Sequence, residues 1–216
     1  MMSKLIRTVG REGNAGSIKL NGTDNYVQLP FLDIDSSFTI LGAINSQGPS
    51  NIGALVYNTI IGISSTRRLL INSVNGLLLA QMGAGNHFSS FQAPLKKWFH
   101  FAYVHDRTLG GSTWFIDGQN AGFMLGNISI KHNLRIGAYD LLNYMHNGFV
   151  FNYSIFKRAL TPNELKLINQ GLPISRAGLV GEWRMNEMTG NIAYDTSGNG
   201  NHATIYGATY TTDKPY

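Results

Sequence analysis

Residues 98–118, W-F-H-F-A-Y-V-H-D-R-T-L-G-G-S-T-W-F-I-D-G, constrain this chain more than any other stretch. Two aromatic and β-branched runs, 98–105 and 113–116, flank a polar connection that carries Gly110 and Gly111, and Asp117-Gly118 closes the second run. Such a pattern specifies strand, turn, strand, turn. The first strand is apolar on both faces, with Trp98, Ala102 and Val104 on one and Phe99, Phe101 and Tyr103 on the other. It must therefore be covered on both sides, as in the interior of a β-sandwich.

The rest of the chain agrees with that hairpin. Charged residues make up 13% of the sequence against about 25% in an ordinary soluble protein, which leaves little to cover the outer faces of many helices. The 25 glycines and 11% aromatics suit short strands joined by tight turns. Strands are predicted at 17–20 and 26–29 around the turn Asn21-Gly22-Thr23-Asp24, then at 38–44, 55–63 and 68–74. Asn75-Gly76 predicts a type I′ hairpin into 77–82, and 83–94 reads as a polar loop that carries Phe88 and Phe91. Further strands are expected at 133–137, 148–156, 179–185 and 203–210. One helix is expected near 161–170. Thr161 and Glu164 form a capping box there, Pro162 takes the first helical position, Leu160 and Leu165 can staple, and Gly171 supplies the stop. The fold class is all-β, a two-sheet antiparallel sandwich with that one short helix, in a single domain over 17–216.

Composition also narrows the function classes. The net charge of +5 is spread over pairs such as Arg67-Arg68, Lys96-Lys97 and Lys157-Arg158, whereas a nucleic-acid footprint is denser. No cysteine is present, so there is neither a disulfide framework nor a thiolate metal site. The first residues lack the apolar run of an export signal, and no stretch reaches membrane-spanning length. Neither nucleic acid nor membrane is expected as a partner. Residues 1–16, with Lys4, Arg7 and Arg11, read as an extended arm held by another subunit.

W-F-H-F-A-Y-V-H-D followed by W-F-I-D-G resembles the hairpin of the laminin-G-like, concanavalin A-like jelly rolls. Four further pieces agree in order: residues 18–27, I-K-L-N-G-T-D-N-Y-V; 37–40, S-F-T-I; 134–137, L-R-I-G; and Asn147-Gly148 leading to I-F-K-R-A-L-T-P-N-E at 155–164. The resemblance spans residues 17–171 and implies a jelly roll. G-L-V-G-E-W-R-M-N-E at 178–187 and D-T-S-G-N-G-N-H at 195–202 are also similar to the family, but there such a segment precedes the strand that here begins at Ser17. A circularly permuted domain, an incomplete second domain and strand exchange with a neighbouring copy all accommodate that order.

Four constellations could carry chemistry. Loops 83–94 and 138–147 offer His87, Phe88, Tyr139, Asp140, Tyr144 and His146 as a glycan platform, since aromatic rings ringed by polar groups on rigidly held loops suit sugar recognition. Asp195, Ser197, Asn199 and Asn201 place side-chain oxygens at alternate positions of a glycine-rich loop, the composition a Ca²⁺ site uses, although the EF-hand pattern fails at Tyr206. The family resemblance adds Asp24 as a further ligand; apart from Ca²⁺ no cofactor is implied. Glu182 and Glu187 are the one close glutamate pair, but strict alternation puts residues five apart on opposite faces. Six histidines show no short metal pair, and no nucleophile elbow occurs.

The sequence therefore leads to a non-catalytic interaction module of a large assembly, a bacteriophage virion surface or tail component that contacts other subunits, copies of itself and host polysaccharide. The alternative is a stand-alone carbohydrate-binding lectin module, and a glycoside hydrolase is the third reading.

Overall fold

The computed structural model describes residues 16–49, 57–64, 67–82, 85–139 and 144–215. The central hairpin becomes β8 (Phe99–Asp106) and β9 (Gly111–Ile116), two strands inside an antiparallel sheet. Outward from β9 lies the edge strand β10 (Gln119–Leu125). On the other side follow β3 (Phe38–Ser46), β12 (Asn147–Phe156), β1 (Ser17–Asn21) and β16 (Thr209–Thr211), with β13 (Leu179–Trp183) also paired to β12. This is the first sheet. The second runs β14 (Ile192–Ala193), β15 (Ala203–Tyr206), β2 (Tyr26–Ile34), β11 (Ile130–Ile136), β4 (Tyr57–Ser64), β5 (Arg67–Asn72), β6 (Leu77–Met82) and β7 (Gly85–Gln92). Every pairing is antiparallel, and the two sheets form a jelly-roll sandwich.

Alternation decides what fills the sandwich. Phe99, Phe101 and Tyr103 of β8 point between the sheets with Trp114, Tyr153, Ile18, Leu29, Leu134 and Trp183. The opposite face of β8 carries Ala102 and Val104, and what covers it is a helix. The helix α1 (Pro162–Asn169) sets Leu165 and Ile168 on Ala102, Val104, Phe115 and Leu41. Thr161 and Glu164 exchange the capping-box bonds at 3.2 and 2.9 Å, and Arg158 binds the same Glu164 carboxylate through two donors, at 2.9 and 2.6 Å. Arg158 first, and its backbone and hydroxyl donors after, hold that carboxyl below its ordinary value although burial opposes them. The spacing of Leu165, Ile168 and Leu172 suggests one apolar face, but Leu172 lies past the end of the helix and is exposed.

Three local expectations need correction. The predicted loop 83–94 contains β7, whose His87 and Ser89 face inward while Phe88 and Ser90 face out. Gly85–Gln92 is polar on both faces, so its period of two is hidden in the hydropathy pattern. The β5–β6 connection is four residues long and not a type I′ turn: only Gly76 has positive φ, and its N–H donates to Asn72 O at 2.8 Å. The predicted strand 203–210 is two strands parted at Gly207, one in each sheet. Among the described residues no helix is long and apolar enough to cross a membrane.

Candidate functional site

The outward face of the second sheet carries one register row that crosses seven strands. Thr204 pairs with Gln28, Gln28 with Arg135, Arg135 with Gly62, Gly62 with Arg68, Arg68 with Gln81, and Gln81 with Asn86. Their neighbours along each strand, such as Val27, Ile136, Leu69 and Ala80, belong to the core. Strand alternation alone therefore turns this whole row to the outside. The row is symmetric about Gly62: Arg135 Nε donates to Gln28 Oε1 at 2.9 Å on one side, and Arg68 Nε donates to Gln81 Oε1 at 2.6 Å on the other. It contains no acidic residue.

Gly62 is small because another segment lies on it. A Cβ there would stand 2.4 Å from Ala138 O and 2.7 Å from Tyr139 Cα. Ala138, Tyr139 and Tyr144 thus form a ridge on this face of the sheet, where Thr59 N–H donates to Tyr144 O at 2.6 Å. From it the Tyr139 and Tyr144 rings reach the Arg68 guanidinium, with centroids 4.2 and 4.7 Å away. On the far side of the ridge Arg135 lies over the Tyr26 ring at 5.2 Å, and Tyr26 stacks on Tyr206 at 4.7 Å. Beside the row, Leu70 and Leu79 are buried beyond the core cluster, and the next residue in register, Phe88, is 45% exposed. Tyr206 is equally exposed. Rings, amides and guanidiniums on one rigid sheet are the groups that recognise a sugar.

The six predicted glycan residues separate on this frame. Phe88 reaches the surface of the face, Tyr144 is half-buried on it, and Tyr139 is buried with its ring against Arg68. His87 and His146 are corrections. His87 points inward toward the edge strand β10, where a Cβ added at Gly122 would stand 3.6 Å from Nε2. His146 is fully enclosed near Gly137 and Gly148, and burial pushes its imidazole down to about 4. Neither ring can touch a surface ligand. Asp140 lies outside the described residues. Sequence reasoning missed Gln28, Arg135, Arg68, Gln81, Tyr26 and Tyr206. A partial signal existed, since Gln28 stands between Val27 and Leu29, and Arg135 between Leu134 and Ile136, each a long polar side chain flanked by aliphatic strand positions.

The proposed Ca²⁺ residues do not fit the ion. Asp195 Oδ1 accepts from the amides of Glu182 and Ser197 at 2.9 and 2.8 Å, and Oδ2 from Ser197 Oγ and Asn201 N at 2.8 and 2.9 Å. Its lone pairs are taken by N–H and O–H donors. Burial alone would raise this carboxyl, and those donors outweigh it and hold it below its ordinary value. Asn199 and Asn201 donate their amides to the carbonyls of β13, Leu179 and Val180. Asp24 accepts from Asn21 and Asn25 in its own turn. Among the described residues no cluster of three His, Asp or Glu side chains could hold a metal. The two glutamates are engaged separately: Glu182 is buried against Arg176 and Thr196 Oγ1, the latter at 2.7 Å, and Glu187 accepts from Tyr194 N and Tyr210 OH.

No protein family model matches the chain, and no curated protein matches it. Solved structures do. One is described as a carbohydrate-binding protein of Bacteroides ovatus, with TM-score 0.74 and 19% identity over 92% of this chain; this chain spans 60% of that protein's length. A heptameric pentraxin of Limulus polyphemus superposes with TM-score 0.65 and 14% identity over 95% of this chain and 99% of its own. Domain 4 of an extracellular family GH43 arabinanase of Geobacillus stearothermophilus, solved with arabinotriose, gives TM-score 0.55 and 16% identity over 79% and 82%. At such identities the likeness establishes the shared jelly-roll fold.

Proposed function

We propose that the chain is a non-catalytic carbohydrate-binding module and that the outward face of the second sheet is its binding surface. The observation that carries this reading is the register row Gln28, Arg135, Gly62, Arg68 and Gln81 bordered by the Tyr26–Tyr206 stack, Tyr144 and Phe88. Sugar rings present flat C–H faces and dense hydroxyls, so exposed rings next to rigid donors and acceptors complement them. The fold is one in which carbohydrate-binding proteins occur. Glu182 and Glu187 both serve as ties within the fold, which supports binding without catalysis. The virion-subunit reading leans on the arm at residues 1–16, of which only Gly16 is described.

Glycan-array screening followed by titration tests this. Phe88→Ala and Tyr206→Ala, both exposed, are expected to weaken binding roughly tenfold each, about 1.4 kcal/mol, with unchanged melting temperature. A chain that binds no glycan, or one whose binding ignores both substitutions, overturns the assignment.

A further inference from the structure

Arg68 is held as a receptor for an anion is held. Two tyrosine rings fix its plane and Gln81 anchors Nε. Among the described residues no carboxylate pairs with it, and Nη1 is buried without a hydrogen-bond partner. A guanidinium packed this tightly usually faces a planar oxyanion, because its fork of donors matches two oxygens at once and a buried N–H left unmade is costly. The row around it is free of acidic side chains, and a second guanidinium, Arg135, stands two strands away across the ridge, about 10 Å by strand spacing.

We infer that the ligand of this face is an acidic polysaccharide, one of whose carboxylate or sulfate groups docks on the guanidinium of Arg68. The inference rests on the carbohydrate reading above and adds the charge of the sugar. The two tyrosine rings, whose centroids lie 6.0 Å apart, pack beside the guanidinium and keep water from part of it, so the pair forms at a lower dielectric than a surface lysine provides. Lysine would keep the charge but lose the fork and the stacking.

The test uses the full chain at about 0.15 M ionic strength. Polygalacturonate is compared with its carboxyl-reduced neutral counterpart, dextran sulfate with dextran, and polyglutamate serves as a polyanion without sugar. One acidic polymer is expected to bind at least about tenfold more tightly than its neutral twin; which one does so identifies carboxylate or sulfate. Arg68→Lys should abolish that preference, bringing the acidic polymer down to the affinity that the same variant shows for its neutral twin. Gln81→Ala, which frees Nε, should reduce it by a smaller factor and serves if Arg68→Lys does not fold. Equal affinity for charged and neutral twins, polyglutamate binding as tight as the acidic glycans, or a preference that survives both substitutions overturns the inference. Neutral glycans bound without preference would leave the carbohydrate reading standing; no binding by any glycan would remove both.

Discussion

His146 and His87 have no place to hold a proton. Both are buried, their ring nitrogens lack hydrogen-bond partners among the described residues, and burial lowers the pKa of each, His146 to about 4. The unfolded chain takes up a proton on these rings below about pH 6.5, while the folded chain resists it. Stability is thus complete above that pH and is lost as pH falls toward 4, by about 3 kcal/mol for His146 alone. Melting temperatures at pH 8, 6 and 5 should decline in that order, and His146→Leu should flatten the curve. A profile already flat in the unsubstituted chain would refute this account. The same two residues show where sequence reading stopped: His87 and Phe88 are adjacent and polar-loop in context, yet one faces the core and the other solvent. That difference is set by the pairing of β7 with β6, which no local pattern reveals.

At the level of elements, the ridge over β4 and the helix over β8 are the two features that dress an otherwise bare sandwich. Gly62→Ala would drive a methyl group into backbone atoms of Ala138 and Tyr139; a loss of about 2 kcal/mol is expected, read from the denaturant midpoint, with weaker glycan binding because the ridge carries Tyr139 and Tyr144. Thr161→Ala should cost about 1 kcal/mol by removing the cap, and leave binding untouched. The helix was legible because capping box, proline and stop are local chemistry. The hairpin was legible because both faces of its first strand are apolar. The polar row proposed to bind glycan was not, since Gln28, Arg135, Arg68 and Gln81 come from four strands as far as 107 positions apart. Each residue alone is an ordinary outward strand position.

For the whole molecule, residues 179–211 are built into both sheets. β13 pairs with β12, β15 with β2 and β16 with β1, and Trp183, Met185, Ala193, Ala203 and Ile205 enter the core. Buried side chains of the larger kinds contribute about 1.5–3 kcal/mol each, against a total stability of about 5–15 kcal/mol. A chain ending at Gly178 should therefore show no cooperative unfolding transition and lose its near-ultraviolet dichroism; a sharp melt would contradict this. The pairing of Ser17 with Thr211, reinforced by Ser17 Oγ donating to Asp213 O at 2.6 Å, has a mechanical consequence. Because these strands run antiparallel and their outer ends sit side by side, tension applied between the two ends pulls across the ladder and loads its hydrogen bonds one after another. The sandwich should open under stretching like a zipper, at low force, from the edge that joins its first strand to its last.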